Sequence, residues 1–306
     1  MIEPRDIAVL YGGPSAEREV SLVSGRACAD ALASLGHRIR LIDVGHDVAA
    51  LSRDLCDPRP DLVFNALHGR FGEDGCIQGL LNLLELPYTH SGLLASALAM
   101  DKPVAKRLFA AAGLRCPEGL VLAPEALLAG DPLPRPYVVK PTHEGSSVGV
   151  VIVQPGSNNP PIDPAVWPFG RDVLVERFVA GRELTVAVME DRALAVTELR
   201  TKVGFYDYEA KYTAGKTEHL VPAPVPPAIY EEALETALAA HRALGCRGVS
   251  RADFRYDDRA EDGLFLLEVN TQPGMTPLSL VPEQAGYVGI AFPELVQWMV
   301  ERARCD

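Results

Sequence analysis

The segment Gly263-Leu-Phe-Leu-Leu-Glu-Val-Asn-Thr-Gln-Pro-Gly-Met275 most narrows what this chain can become. Phe265 to Val269 is apolar except at Glu268, the pattern of a buried strand. Strand side chains alternate faces, so Glu268 and Asn270 point the same way. Burying an ionised glutamate without a partner is costly. Two arrangements meet that cost. One is a salt-bridged glutamate running into a Pro-Gly turn. The other is a hard cation held by carboxylate and amide oxygens, which suit Mg²⁺ or Mn²⁺. This segment alone leaves both open. Gln272-Pro273-Gly274 stops the strand, and Gly274 lets backbone approach a ligand closely.

The preceding run, Gly248 to Tyr256, alternates with Arg251, Asp253 and Arg255 on one face. A polar connector, Asp257 to Gly263, joins the two runs and predicts a hairpin. Asp253 then lies beside Glu268 with Arg251 close by. Acidic and amide ligands with one arginine suit metal-bound polyphosphate and a developing negative charge.

A chain of 306 residues has room for two or three domains around such a hairpin. A net charge of −12 argues against a nucleic-acid partner, so an anionic substrate needs a local cationic pocket. The cysteines (28, 56, 76, 116, 246 and 305) are scattered without a Cys-x-x-Cys, as in a reducing compartment. No run is long enough to span a bilayer and no signal-peptide pattern opens the chain. The expectation is a cytoplasmic protein with no membrane partner.

Taken in order, Asp6–Tyr11, the Gly12-Gly13-Pro14-Ser15 turn, a helix over 17–35 and a strand over 38–43 predict a parallel sheet. Ligands collect at the carboxyl ends of such strands, which marks Glu17. Glu17 also suits the dipole of a first helical turn. A third strand over 61–67 leads into the glycine-rich loop His68–Gly75 and a helix over 76–84. His68 there serves a ligand or simply the loop. A short strand over 87–90 and a helix over 93–100 follow.

A helix opens at Asp101, and Tyr137-Val-Val-Lys140 is a strand ending in lysine. Pro141 to Gly149 is a small-residue loop suited to cradling phosphates or to closing as a lid. Residues 154–168 form a surface excursion, and strands follow over 172–179, 183–189 and 193–200. Residues 201–219 lack a clean period and read as a functional loop. Within them, Ala210 to Thr217 nearly fits the phosphate loop G-x-x-x-x-G-K-T. The prolines after it forbid the helix that motif needs, so it is rejected.

The motifs Gly12-Gly-x-Ser-Ala-Glu-Arg-Glu-Val-Ser21, His68-Gly-x-x-Gly-Glu-Asp-Gly75, Met100-Asp-Lys102, Lys140-Pro-x-x-Glu-Gly-Ser-Ser-Val-Gly149, Tyr206–Tyr212 and Glu268-x-Asn-Thr-x-Pro-Gly-Met-Thr276 span nearly the whole chain. On them the chain resembles the D-alanine–D-alanine ligases of the ATP-grasp superfamily. The resemblance implies a mixed α/β and α+β fold of three lobes. These are an N-terminal parallel α/β domain over 1–100, a central ATP-grasp lobe over 101–183 and a C-terminal lobe over 184–306. It implies a homodimer acting on D-alanine and ATP with two Mg²⁺ or Mn²⁺.

Residue by residue, the resemblance implies phosphate contacts for Lys102 and Lys140 under a lid over 145–149, with Glu144, Gly145 and Ser147 also binding ATP. Glu176 would meet the adenine amine, Phe178 and Val179 the ring, and Glu183 the ribose. Asp253, Glu268 and Asn270 would hold the metals. Glu17 would bind the first D-alanine ammonium and latch to Ser146 and Tyr212. Arg251 and the Gly274 N–H would receive the oxyanion. Lys211 and Ser279 would help receive the second substrate and the γ-phosphate, with His68 near the substrates. The sequence departs from the family pattern mildly, with His143, Gln272 and Pro277 at varied positions. A ligase joining D-alanine to D-serine or D-lactate is an alternative, as is a nucleotide-binding regulatory module on the same fold. The tyrosine-rich motif favours an amine acceptor.

Overall fold

The computed structural model describes residues 3–157, 160–201 and 217–306, arranged as three sheets with helices packed on them. The first sheet is parallel, in the order β2-β1-β3. It comprises β1 (Asp6–Gly12), β2 (Arg38–Val44) and β3 (Leu62–Asn65). Ile7 and Val9 enter one core while Ala8 and Leu10 enter another, so β1 is buried on both faces as a central parallel strand must be.

Helix α1 (Arg18–Ser34) connects β1 to β2. Helix α2 (Val48–Cys56) is an element the sequence reading lacks. Asp47 caps it by accepting from the Ala50 N–H, and its buried residues are only Leu51 and Leu55. Helix α3 (Cys76–Leu83) follows the glycine-rich loop. The strand expected over 87–90 is reduced to bridges from Tyr88 to Val63 and Arg304, since Pro87 has no N–H to extend the ladder.

Helices α4 (Leu93–Met100) and α5 (Lys102–Ala111) lead into the second sheet. That sheet is antiparallel, in the order β4-β7-β5-β6. Its strands are β4 (Gly119–Leu122), β5 (Tyr137–Pro141), β6 (Val151–Val153) and β7 (Val173–Arg177). The 154–168 excursion is not featureless. Trp167 packs edge-on against Phe169 at 4.8 Å, and a Cβ on Gly149 would stand 2.6 Å from the Phe169 ring. The excursion therefore braces the base of the glycine-rich loop.

The third sheet has the order β10-β9-β8-β11-β12. It comprises β8 (Arg182–Met189), β9 (Arg192–Thr201), β10 (Thr217–Leu220), β11 (Val249–Tyr256) and β12 (Leu264–Asn270). Strand β8 runs across the expected 183/184 division. Its Leu184, Val186 and Val188 pack in a core with Ala233, Ala237 and Ala240 of α6 (Pro227–Ala243). Ala105 and Phe109 of α5 enter that same core. Ala187 and Met189, on the other face, share a core with β1, α7 (Leu280–Tyr287) and α8 (Phe292–Glu301). The period-two alternation of one strand thus welds the third sheet to the first. The expected hairpin forms, with Arg251 opposite Asn270 and Asp253 opposite Glu268.

Candidate active site

The second and third sheets face each other across a cleft of about 750 Å³. Its walls carry Lys140, Glu144, Ser147, Glu176, Phe178 and Val179, and its floor Lys102, Gly145, Glu183, Asp253 and Glu268. That floor is shared with a smaller polar pocket lined by Glu17, His68, Ser146, Arg251, Asn270, Gly274 and Ser279. Residues from the regions of all three sheets therefore surround one continuous space. Lys211 and Tyr212 lie outside the described residues, as does most of the rejected phosphate-loop look-alike.

The hairpin supplies the oxygen-rich floor. Asp253 accepts from Arg251 through two guanidinium nitrogens, at 2.8 and 2.7 Å, and from the Thr185 hydroxyl at 2.7 Å. The Lys102 ammonium sits 3.4 Å from Glu268 and donates to the Glu144 carbonyl at 2.5 Å. Asn270 turns its amide oxygen toward the Gln272 N–H at 2.7 Å. Two facing carboxylates and an amide oxygen, with no nitrogen or sulfur donor, form the donor set of a hard divalent cation. These residues fit Mg²⁺ or Mn²⁺.

The cleft wall holds a buried charge cluster. Glu176 touches Lys106 through one carboxylate oxygen and Lys140 through the other. Burial pulls the Lys140 ammonium down toward about 7 and the Lys106 ammonium toward about 8. The carboxylate between them acts in the opposite direction, and contact geometry favours the charged trio. Lys106 was not foreseen; nothing in the sequence but its spacing of four from Lys102 sets it apart. Glu183 pairs across the ladder with Arg255 at 3.6 Å.

In the smaller pocket, the Ser15 hydroxyl donates to the His68 carbonyl at 2.6 Å and accepts from the Glu17 N–H at 3.1 Å. A Cβ on Gly145 would stand 3.1 Å from a Glu17 carboxylate oxygen, so the glycine-rich loop passes directly over Glu17. Ser146 and Ser147 both take left-handed backbone conformations in that loop (φ 51° and 59°), an uncommon pair for residues with a Cβ. Burial pushes the His68 imidazole down to about 4, so it is neutral near pH 7. Its Nε2 lies 3.1 Å from the Ser24 hydroxyl.

Glu73 belongs to the His68–Gly75 motif, which by itself assigns it no role. It is buried in this pocket and accepts from the Gly69 N–H at 2.6 Å. Burial, then the neighbouring Glu17 carboxylate, pushes its carboxyl up to about 8. Gly274 leaves room for Ser279, whose hydroxyl would lie 2.9 Å from any Cβ there. Ser279 in turn accepts from the Thr276 N–H at 2.9 Å.

A nucleotide-sized cleft between two antiparallel sheets, opening on an oxygen-rich floor and a small polar pocket, defines an ATP-grasp ligase. The particular family follows from comparison with known proteins. Residues 130–301 match the family model described as D-ala D-ala ligase C-terminus, and residues 48–91 the one described as D-ala D-ala ligase N-terminus. The D-alanine–D-alanine ligase of Paramagnetospirillum magneticum is 61% identical over 304 residues, covering 98% of this chain and 99% of that protein. That of Rhodospirillum rubrum is 57% identical over 300 residues, covering 98% of each. The crystal structure of D-alanine–D-alanine ligase from Bacillus anthracis superimposes with a TM-score of 0.80 at 30% identity, over 97% of this chain and 96% of that one. The same enzyme complexed with ATP gives 0.79 at 28% identity, over 96% of each chain. The chain belongs to the D-alanine–D-alanine ligase family.

Proposed function

We propose that this chain joins two D-alanine molecules into D-alanyl-D-alanine for peptidoglycan precursor synthesis, consuming ATP and passing through an acyl phosphate. The observation that carries the reading is the shared floor: Lys102, Asp253 and Glu268 line both the nucleotide-sized cleft and the pocket of Glu17 and Arg251. A phosphoryl group at the end of the cleft would therefore meet a carboxylate bound in the pocket.

The first D-alanine presents its ammonium to Glu17 and its carboxylate to the γ-phosphoryl group. Lys102 and Lys140 answer the charge on the phosphates. Two divalent cations, held by Asp253, Glu268 and Asn270, would neutralise charge on the transferring phosphoryl. The second amine then attacks the acyl carbon, and Arg251 with the Gly274 N–H receives the oxyanion before phosphate leaves. Ser279 and Lys211 help seat the second substrate, with neutral His68 alongside. Gly145 to Gly149 excludes water, which would otherwise hydrolyse the acyl phosphate. Ser146, Glu17 and Tyr212 latch that closure.

On the nucleotide, Glu176 accepts from the adenine amine, Phe178 and Val179 flank the ring, and Glu183 takes the ribose hydroxyls. Glu144 and Ser147 line the phosphate end. The same reading makes the enzyme a cytoplasmic homodimer. The six cysteines are free, which suits a reducing compartment; among the described residues no helix is long and apolar enough to cross a membrane. Sedimentation of the purified protein tests the dimer.

The deciding assay supplies ATP and D-alanine and measures phosphate and dipeptide together, with D-serine and D-lactate as competitors. One phosphate per D-alanyl-D-alanine is expected. A depsipeptide or mixed dipeptide as main product would move the assignment to another ligase, and absence of turnover would favour a regulatory module.

A further inference from the structure

Lys106 lies on α5, behind Glu176, and lines neither the cleft nor the pocket. Its side chain is 13% exposed and that of Glu176 is 3% exposed. Its ammonium donates to the Pro117 carbonyl at 2.7 Å and contacts one Glu176 oxygen, while Lys140 takes the other. We propose that Lys106 is a positioning residue that holds Glu176 as an ionised acceptor and so makes the enzyme select 6-amino over 6-oxo purine nucleotides. This rests on the reading that Glu176 meets the adenine amine.

Only one of the two ammonium groups is able to leave Glu176. Lys140 lines the cleft and is assigned to phosphate, so nucleotide binding draws it off Glu176. That frees the cleft-side oxygen to accept a hydrogen bond. It also removes one of two counter-charges from a carboxylate with almost no access to water, which favours protonation unless another cation stays. Lys106 stays, because the Pro117 carbonyl anchors it and it has no path to the phosphates. An ionised carboxylate only accepts, so it pairs with the amino group of adenine and repels the carbonyl of a 6-oxo purine. A protonated Glu176 would donate to that carbonyl, and the discrimination would be lost.

The test compares ATP with inosine triphosphate as the phosphoryl donor. Lys106→Met should raise the KM for ATP roughly tenfold or more, the scale of one lost charge-assisted hydrogen bond. It should leave kcat within about threefold and the KM for D-alanine unchanged, because no step of the chemistry touches Lys106. The preference for ATP over inosine triphosphate should fall by a similar factor. Lys106→Arg should restore it.

Glu176→Gln separates the two layers of the argument. If it leaves the ATP preference intact, Glu176 does not read the base and the underlying reading fails. If it abolishes the preference while folded Lys106→Met keeps the parental ratio, only the role of Lys106 fails. Should Lys106→Met not fold, Lys106→Arg and the double variant Lys106→Met/Glu176→Gln decide. The double variant has no stranded carboxylate, so it should fold and match Glu176→Gln alone. Losses that simply add, or failure of Lys106→Arg to keep the ratio, would overturn the proposal.

Discussion

Glu268 shows how much can hang on a single carboxylate. It faces Asp253 across the hairpin, lies 3.4 Å from Lys102 and lines both spaces. Glu268→Gln keeps the shape and removes the charge, and turnover should fall on the order of 10³-fold with Mg²⁺ present. Near-parental turnover would end the metal assignment. Glu73 makes a different prediction, about pH. Burial, then the Glu17 charge, pushes its carboxyl up to about 8 in the folded chain, against about 4.3 when unfolded. The folded chain therefore holds a proton that the unfolded chain has released. The resulting stabilisation is complete below about pH 4, declines as pH rises toward 8 and then levels off. Glu73→Gln keeps an acceptor for the Gly69 N–H and has no proton to lose. Melting temperatures at about pH 5.5 and pH 8 should show the variant gaining on the parent as pH rises. A constant difference would mean that Glu73 is ionised throughout.

Helix α5 ties its own stability to the position of Lys102. Asp101 caps it by accepting from the Val104 N–H at 3.0 Å and also meets His143 at 3.1 Å. The first residue of that helix is Lys102. Asp101→Ala should cost about 1 kcal/mol of stability. It should also raise the KM for ATP while leaving that for D-alanine unchanged, because the frayed turn is the one that holds Lys102. Equal effects on both substrates would show a global rather than a local loss. The elements legible in the sequence are those whose pattern is local. The Phe265–Val269 run and the alternation before it fix β11 and β12 without knowledge of any neighbour. Helix α2 escapes because two buried leucines make a thin stripe, though Asp47 followed by leucines four apart is a signal that could have been weighed. Tyr88 reads as a strand, but its partners, Val63 and Arg304, are far away in the chain. The candidate site divides in the same way. Motif residues could be quoted, whereas Lys106 and Glu73 owe their character to burial beside Glu176 and Glu17, which no spacing encodes.

Across the whole molecule, the pocket exists only while the first sheet and the loop after β12 hold one position. Gln272 does much of that holding. Its side chain is buried, its amide nitrogen donates to the Leu67 carbonyl, and its oxygen accepts from the Asn65 amide at 2.7 Å. Nearby, the Ser24 hydroxyl, which meets His68, accepts from the Met275 N–H at 3.2 Å. These bonds fix the His68 loop against the strand end that presents Arg251, Asn270 and Gly274. Gln272 is also a place where the family resemblance implies a departure, with serine the expected residue. Serine is too short to reach Asn65 and Leu67 at once. Gln272→Ser should therefore leave buried polar groups unpaired, at a cost of about 1–3 kcal/mol. Neither Gln272 nor its partners Asn65 and Leu67 line the nucleotide cleft, so the KM for ATP should stay near its parental value. The KM for D-alanine should rise, and so should phosphate released per dipeptide, because a loosened seam admits water to the acyl phosphate. The measurement is that ratio together with both KM values in one series of assays. A parental ratio with a lower melting temperature would mean that Gln272 supports the fold without setting the pocket.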